Sequence, residues 1–153
     1  MAFVFAIDPG KSGRIAIFDA GELKFVDFAN PCALAGWLRT RQEQTRVVIE
    51  QVNGVPGQSG PASFNFGKSY GELLGVCVAL DVEPVLIRPV EWKAALGLRR
   101  EFGETTAKFK GRSLAMAREI WPNHAKTFFA RAKDDGAAEA ALLGHYVISQ
   151  GIV

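Results

Sequence analysis

Five apolar residues, Phe3 to Ile7, run directly into Asp8, Pro9 and Gly10. A short unbroken apolar run reads as a buried strand, and a carboxylate at its end is a charge where the surrounding pattern does not want one. A second run, Val47-Val48-Ile49, ends on Glu50 in the same way. Asp135 and Glu139 stand four apart near the start of the last helical pattern, so they share a helix face. If the first and fourth strands are parallel neighbours, their ends set Asp8 beside Glu50. The last helix can then deliver Asp135 and Glu139 from across the sheet edge. Four clustered carboxylates repel and shift one another's pKa unless divalent cations neutralise them. Two Mg²⁺ ions held this way can activate a water and stabilise the leaving 3′ oxygen of a phosphodiester.

Each acid also has a simpler reading. Asp8 before Pro9-Gly10 is equally a turn residue, and a glutamate ending a strand is often only solvated. Asp134 suits a helix cap, where an acid also favours the dipole. It lies five residues from Glu139 and so faces about 140° away on a helix. Asp135 is therefore the preferred ligand, with Asp134 its rival. The joint order and spacing of the acids, more than any one of them, points to a metal site. Gly10-Lys11-Ser12 resembles the end of a phosphate-binding P-loop, but Phe5 stands where that motif needs a glycine. Cys32, Cys77, His124 and His145 lack zinc spacing.

The rest of the pattern supplies a scaffold. Strands are expected at Phe3–Asp8, Arg14–Phe18, Leu23–Phe28, Arg46–Glu50 and Glu83–Ile87, with a hairpin turn at Asp19-Ala20-Gly21-Glu22. Helices are expected from Asn30 and Pro31 to about Thr40, and over Ser63–Leu80, Pro89–Leu96, Thr105–Trp121 and Asp134–Ser149. Residues 51–62, rich in Gly and Pro, read as a long loop. Hairpin strands followed by strands joined through helices imply an α/β fold, a five-stranded mixed sheet flanked by helices. With no repeat or long linker, 1–153 reads as a single domain.

Charge is unevenly spread. Arg88 to Lys133 carries eleven Lys or Arg against four Glu, while the remainder carries seven against twelve acids. A basic segment set against an acidic body suits contact with a polyanion, although a solvated helical surface has the same composition. The longest apolar stretch, Leu73–Leu80, is far too short to span a bilayer, so no membrane role is expected. The N-terminus shows no signal-peptide pattern, and Cys77 sits in an apolar helical stretch and reads as core. A reducing, cytoplasmic setting is expected.

Ala6-Ile7-Asp8-Pro9-Gly10, Val48-Ile49-Glu50-Gln51-Val52 and Asp135-Gly136-Ala137-Ala138-Glu139-Ala140 together resemble RuvC-type Holliday-junction resolvases. Phe64-Asn65-Phe66-Gly67-Lys68-Ser69-Tyr70-Gly71 and Arg88-Pro89-Val90-Glu91-Trp92-Lys93 resemble small phage-type members of that group, so the setting implied is a bacterial or phage-infected cell. The resemblance covers essentially the whole chain. It implies a ribonuclease H-like fold and a homodimer that uses Mg²⁺ or Mn²⁺ to nick two opposed strands of a four-way DNA junction. By matching position, Asp8, Glu50, Asp135 and Glu139 would be the metal ligands; on the resemblance Lys93 could bind the scissile phosphate, though a surface lysine beside a core Trp92 reads equally well. The chain departs from the family in two places. Glu139 stands where bacterial members typically have Asp, with one residue more between it and Asp135. The aromatic expected soon after the fourth-strand glutamate is absent, and Asn53 stands near its place.

DNA contacts are expected from Lys11 and Ser12 in the first turn, from Lys68, from Arg99 and Arg100 in a loop, and from Lys108, Lys110 and Arg112 on the following helix. Phe64 and Phe66 could stack on bases, yet aromatics at helical spacing beside Tyr70 are more often core or dimer contacts. His145 is expected to be structural. The leading reading is an endonuclease for four-way junctions. The alternatives are a nuclease of this fold for other branched DNA or RNA–DNA hybrid, and a junction-binding protein without catalysis. A fragment of an actin-like ATPase is disfavoured by chain length.

Overall fold

In the computed structural model the described residues are 3–26, 30–41, 45–51, 53, 54, 57 and 59–153. Five strands, β1 (Phe3–Ile7), β2 (Ile15–Asp19), β3 (Glu22–Val26), β4 (Thr45–Glu50) and β5 (Val85–Ile87), form one sheet in the order β3-β2-β1-β4-β5. The β1-β2 and β2-β3 pairs are antiparallel; β1-β4 and β4-β5 are parallel. The helices are α1 (Pro31–Arg41), α2 (Gly60–Ala79), α3 (Pro89–Ala95), α4 (Thr106–Ile120) and α5 (Asp135–Ser149). The expected mixed sheet with flanking helices is what forms.

Strand alternation divides the apolar residues between two cores. Val4, Ala6, Ala16, Val48 and Ile87 face α3, α4 and α5, meeting Trp92, Leu114, Ala117 and the buried side of α5. Phe5, Ile7, Ile15, Ile17, Val47 and Ile49 face the other way, onto Leu34 and Leu38 of α1 and Leu73 and Cys77 of α2. Cys77 is thus a core residue, as expected, and burial pushes its thiol up to about 11. The hairpin turn falls at Ala20 and Gly21, both at positive φ, the geometry that matches the twist of two flanking strands.

Two boundaries shift. The α2 helix begins at Gly60, not Ser63, so part of the expected 51–62 loop is helical. Pro61 permits this because the first turn of a helix leaves its N–H groups unpartnered in any case. The fifth strand contracts to Val85–Ile87, the residues that pair with Val48–Glu50. The end of the Leu23–Phe28 expectation and part of the 51–62 loop lie outside the described residues. No helix among the described residues is long and apolar enough to cross a membrane.

The Ala- and Gly-rich sequence of α5 follows from how closely it lies on the sheet. Ala137, Ala138, Ala140, Ala141, Leu142 and Leu143 are all buried. A Cβ on Gly136 would stand 2.1 Å from the Ser12 carbonyl oxygen, and one on Gly144 would stand 2.1 Å from the Phe18 ring. Backbone cannot retreat as a ring can. Gly136→Ala is therefore expected to destabilise the fold by about 3 kcal/mol or more, above the usual overpacking range, and Gly144→Ala by about 1–3 kcal/mol. Phe18→Leu should relieve only the second. Denaturant midpoints of the two single variants and of the Phe18→Leu double variants test this; equal losses at both positions would show that the turn at Ser12 yields.

Candidate active site

The β1-β4 register pairs Ile7 with Ile49, so the next residues, Asp8 and Glu50, emerge together at the carboxyl ends of adjacent parallel strands. Asp8 shares strand parity with Val4 and Ala6, and Glu50 shares it with Val48. Both side chains therefore belong to the face covered by α3, α4 and α5. The Asp8 amide donates to the Arg14 carbonyl at 3.2 Å, and its Oδ1 accepts from the Gly10 amide at 3.0 Å. The Gln51 amide donates to the Ile87 carbonyl at 2.8 Å, which holds the end of β4 just past Glu50. Glu50 Oε2 accepts from the buried Trp92 indole at 2.9 Å.

The helices supply the other acids and two cations. Glu139 Oε1 accepts from Lys93 Nζ at 2.9 Å and from the buried Ser113 hydroxyl at 3.5 Å. Asp135 Oδ2 accepts from Lys110 Nζ. Asp134 goes elsewhere: its carboxylate accepts from the Arg131 amide at 2.8 Å and from the Arg131 guanidinium at 2.8 and 3.2 Å. Those bonds hold its pKa below the usual carboxylate value. Asp134 is the first residue before α5, yet its side chain makes no bond to the helix N-terminus. It closes the short 3₁₀ turn Ala132–Asp134 instead.

Electrostatics ties these groups together. Asp8 is raised to about 7, chiefly by burial, then by the charges of Glu50 and Glu139. Glu50 is also raised, mainly by burial, with Glu139 adding and Lys93 and the Trp92 bond opposing. Lys110 is raised by its bond to Asp135 and by the charges of Asp135, Glu139 and Asp8. Asp8, Glu50, Asp135, Glu139, Lys93 and Lys110 thus form one interacting set.

As the side chains stand, no three His, Cys, Asp or Glu groups among the described residues are gathered closely enough to hold a metal ion. The ammonium groups of Lys93 and Lys110 are paired with two of the four acids, Glu139 and Asp135. The donor set nevertheless fits a hard divalent cation: four carboxylates and no sulfur or imidazole, which suits Mg²⁺ or Mn²⁺. The mutual repulsion felt at Asp8 is what such a cation relieves.

The expected DNA-contacting residues scatter more widely. Lys11 and Ser12 are exposed in the turn after Asp8. Lys68 is exposed on α2, 3.8 Å from Glu72. Arg99, Arg100 and Lys108 are exposed, but Arg100 donates to the Glu104 carbonyl and the Thr106 hydroxyl. Arg112 is drawn inward, 3.0 Å from the buried Glu104 carboxylate, and donates to the Arg99 carbonyl. Arg112 is thus engaged within the fold, unlike the open surface expected of this helix, whereas Lys110 stays exposed with its ammonium on Asp135. His145 packs edge-on against Trp121, a structural place, as expected. Phe64 is exposed, whereas the Phe66 ring lies over Gly10 beside Asp8.

Trp92, Ser113 and Gly13 were not singled out from sequence. A buried indole needs an acceptor for its N–H, and that requirement was the available signal for Trp92. Ser113 is a fully buried hydroxyl on a basic helix. Gly13 carries no side chain because a Cβ there would stand 1.9 Å from the Asp8 carbonyl oxygen.

The sheet order, the hairpin at its edge and the helices on both faces define a ribonuclease H-like fold. Comparison with solved structures gives the same result. The chain is similar to RuvC from T. thermophilus in complex with a Holliday junction substrate, at 17% identity and a TM-score of 0.58, covering 97% of this chain and 96% of that one. A second T. thermophilus RuvC structure gives 16% identity and a TM-score of 0.55 over the same shares. No protein-family model and no curated protein sequence matches the chain.

The raised Asp8 carries a sign that can be checked. Its folded pKa of about 7 lies above the ordinary 3.8, so its ionisation opposes folding. The stability it confers is full below pH 3.8 and is lost as pH rises through about 7. In metal-free buffer Asp8→Asn should be more stable than the parent above pH 7, by on the order of a few kcal/mol, with the gap closing towards pH 4. Melting curves of both proteins from pH 4 to 8 measure this; parallel curves would show that Asp8 titrates normally.

Proposed function

We propose that the chain is a metal-dependent endonuclease that cleaves four-way DNA junctions, with Asp8, Glu50, Asp135 and Glu139 as its metal-holding carboxylates. The observation that carries this reading is that Asp8 and Glu50 leave the ends of two adjacent parallel strands, where burial and the charges of Glu50 and of Glu139 on α5 raise Asp8 to about 7. A site that only bound DNA would gain nothing from acids beside phosphates. The likeness to RuvC over 97% of the chain supports the choice of substrate.

Divalent cations bound there would supply an activated water and charge neutralisation at the leaving oxygen. The protein's own groups do the positioning. Trp92 fixes one oxygen of Glu50, and Ser113 supports Glu139. Lys93 and Lys110 are counterions to Glu139 and Asp135; released from them, they stand where they can hold substrate phosphates. Asp8→Asn should lower single-turnover cleavage of a synthetic four-way junction by roughly a hundredfold or more, the scale of losing one electrostatic stabiliser. Its junction affinity should hold or rise, since one repulsive charge is gone. Lys93→Ala should lower the rate more than the affinity. Duplex, flap and RNA–DNA hybrid run beside the junction decide the substrate, and full activity in Asp8→Asn would sink the assignment.

Paired nicks on a two-fold symmetric junction call for a homodimer. The α2 helix supplies a surface for it. Phe64 and Val78 are 72% and 78% exposed, and they bracket Gly67, Gly71 and Gly75. An added Cβ at any of the three glycines meets nothing within 4 Å. Mid-helix glycine costs about 1 kcal/mol relative to alanine, so three that the chain's own packing does not require favour a second helix lying close. Gly71→Leu is expected to turn a sedimenting dimer into a monomer of unchanged helix content; a parent already monomeric at micromolar concentration would remove the dimer.

A further inference from the structure

A groove of about 530 Å³ opens between α3 and the chain leading into α4. Its apolar lining is Pro89, Val90, Leu98 and Phe109, and its cations are Lys93, Arg99 and Arg100; among the described residues no carboxylate lines it. Val90 is 63% exposed, an apolar side chain left facing open space. The Phe109 ring has Lys93 Nζ 5.2 Å from its centre and the Arg100 guanidinium carbon at 5.9 Å.

The wall of this groove is preformed. Glu104 is buried and its Oε2 accepts from the Glu101 amide at 3.0 Å, while the Arg112 guanidinium stands 3.0 Å from Oε1. Arg100 donates to the Glu104 carbonyl at 3.1 Å. A loop tied at this many points does not need to fold around a ligand. The side chain of Arg99 meets no carboxylate among the described residues, so its charge is open to an anion.

Lys93 belongs to both places. Its Nζ is 2.9 Å from Glu139 of the candidate active site, and the same side chain lines the groove. A strand whose phosphate lies at the carboxylates has its neighbouring nucleotide within reach of this groove. A small anion alone would have no use for an apolar floor, and a base paired inside a duplex could not enter it. An unpaired nucleotide matches both features: its base faces are apolar and its phosphate is anionic.

We propose that this groove takes one unpaired nucleotide of the substrate strand, with the base against Val90, Leu98 and Phe109 and the phosphate at Arg99. The inference rests on the nucleic-acid reading above and adds a place where the nucleotide next to the cut is read.

The test compares binding of a twelve-nucleotide oligothymidylate with that of an abasic sugar-phosphate oligomer of the same length and charge. The full-length protein should prefer the thymidylate by about tenfold, the range of one base stacked on an aromatic or apolar platform. Val90→Gln, on an exposed position, should keep the parent's melting temperature and shrink that preference to twofold or less. Equal binding of the two oligomers by the parent overturns the proposal, as does a preference that survives Val90→Gln undiminished. Junction cleavage is scored separately. A parent that discriminates bases through Val90 but cuts no junction keeps the groove and loses the junction reading, whereas one that cuts junctions without base preference loses only the groove.

Discussion

Parallel pairing of β1 with β4 forces two acids into a space where neither is comfortable. Ile7 and Ile49 are neighbours in register, so Asp8 and Glu50 leave the sheet side by side on the face that three helices cover. Burial raises both carboxyls, and the charge of Glu139 raises each of them further. The surrounding side chains answer that single problem: an indole N–H on Glu50, an ammonium on Glu139, and another on Asp135. Trp92 and Lys93 come from α3, Lys110 from α4 and two of the acids from α5, so the packing of these three helices is also the assembly of the charge balance.

The basic character of the 88–133 segment resolves into distinct duties when each side chain is followed to its partner. Lys93 and Lys110 serve the carboxylates. Arg100 and Arg112 brace the 99–104 loop, and Arg118 donates to the Phe129 and Ala130 carbonyls. Lys108 lies 3.9 Å from the exposed Glu101 carboxylate, and Arg99 remains as exposed charge. A count of cations along the chain cannot make this division, because a guanidinium that satisfies buried carbonyls and one that faces solvent have the same formula.

Much of the architecture was legible because its signals are local. Apolar runs, the turn around Gly21 and helical spacing locate the five strands and five α-helices described to within a few residues, and the mixed sheet follows from their order. The preference for Asp135 over Asp134 rested on helix geometry; in the structure Asp135 accepts from Lys110 and Asp134 is tied to Arg131. What sequence did not supply are the partners set by tertiary contact. Trp92 bonds a residue forty-two positions away, and nothing in its neighbourhood names Glu50. The start of α2 was missed because Pro61 reads as a breaker, whereas in a first turn it breaks nothing. Arg112 was taken for open surface because the buried Glu104 that draws it in lies beyond the helix, in the loop before it.

Surface turns ordinarily accept extra residues, since added chain loops out into water at small entropic expense. The 8–14 turn looks like such a place, with Lys11 and Ser12 exposed. It is not one. Its far side is moulded against α5, where the Ser12 carbonyl leaves Gly136 no room for a side chain, and Gly13 is folded back on the Asp8 carbonyl. The turn acts as a spacer of set length between the first acid and the helix that carries the last two. An insertion there would change the distance between the acids, so a position that looks permissive from outside is closed to length variation and to the grafting of a tag or domain.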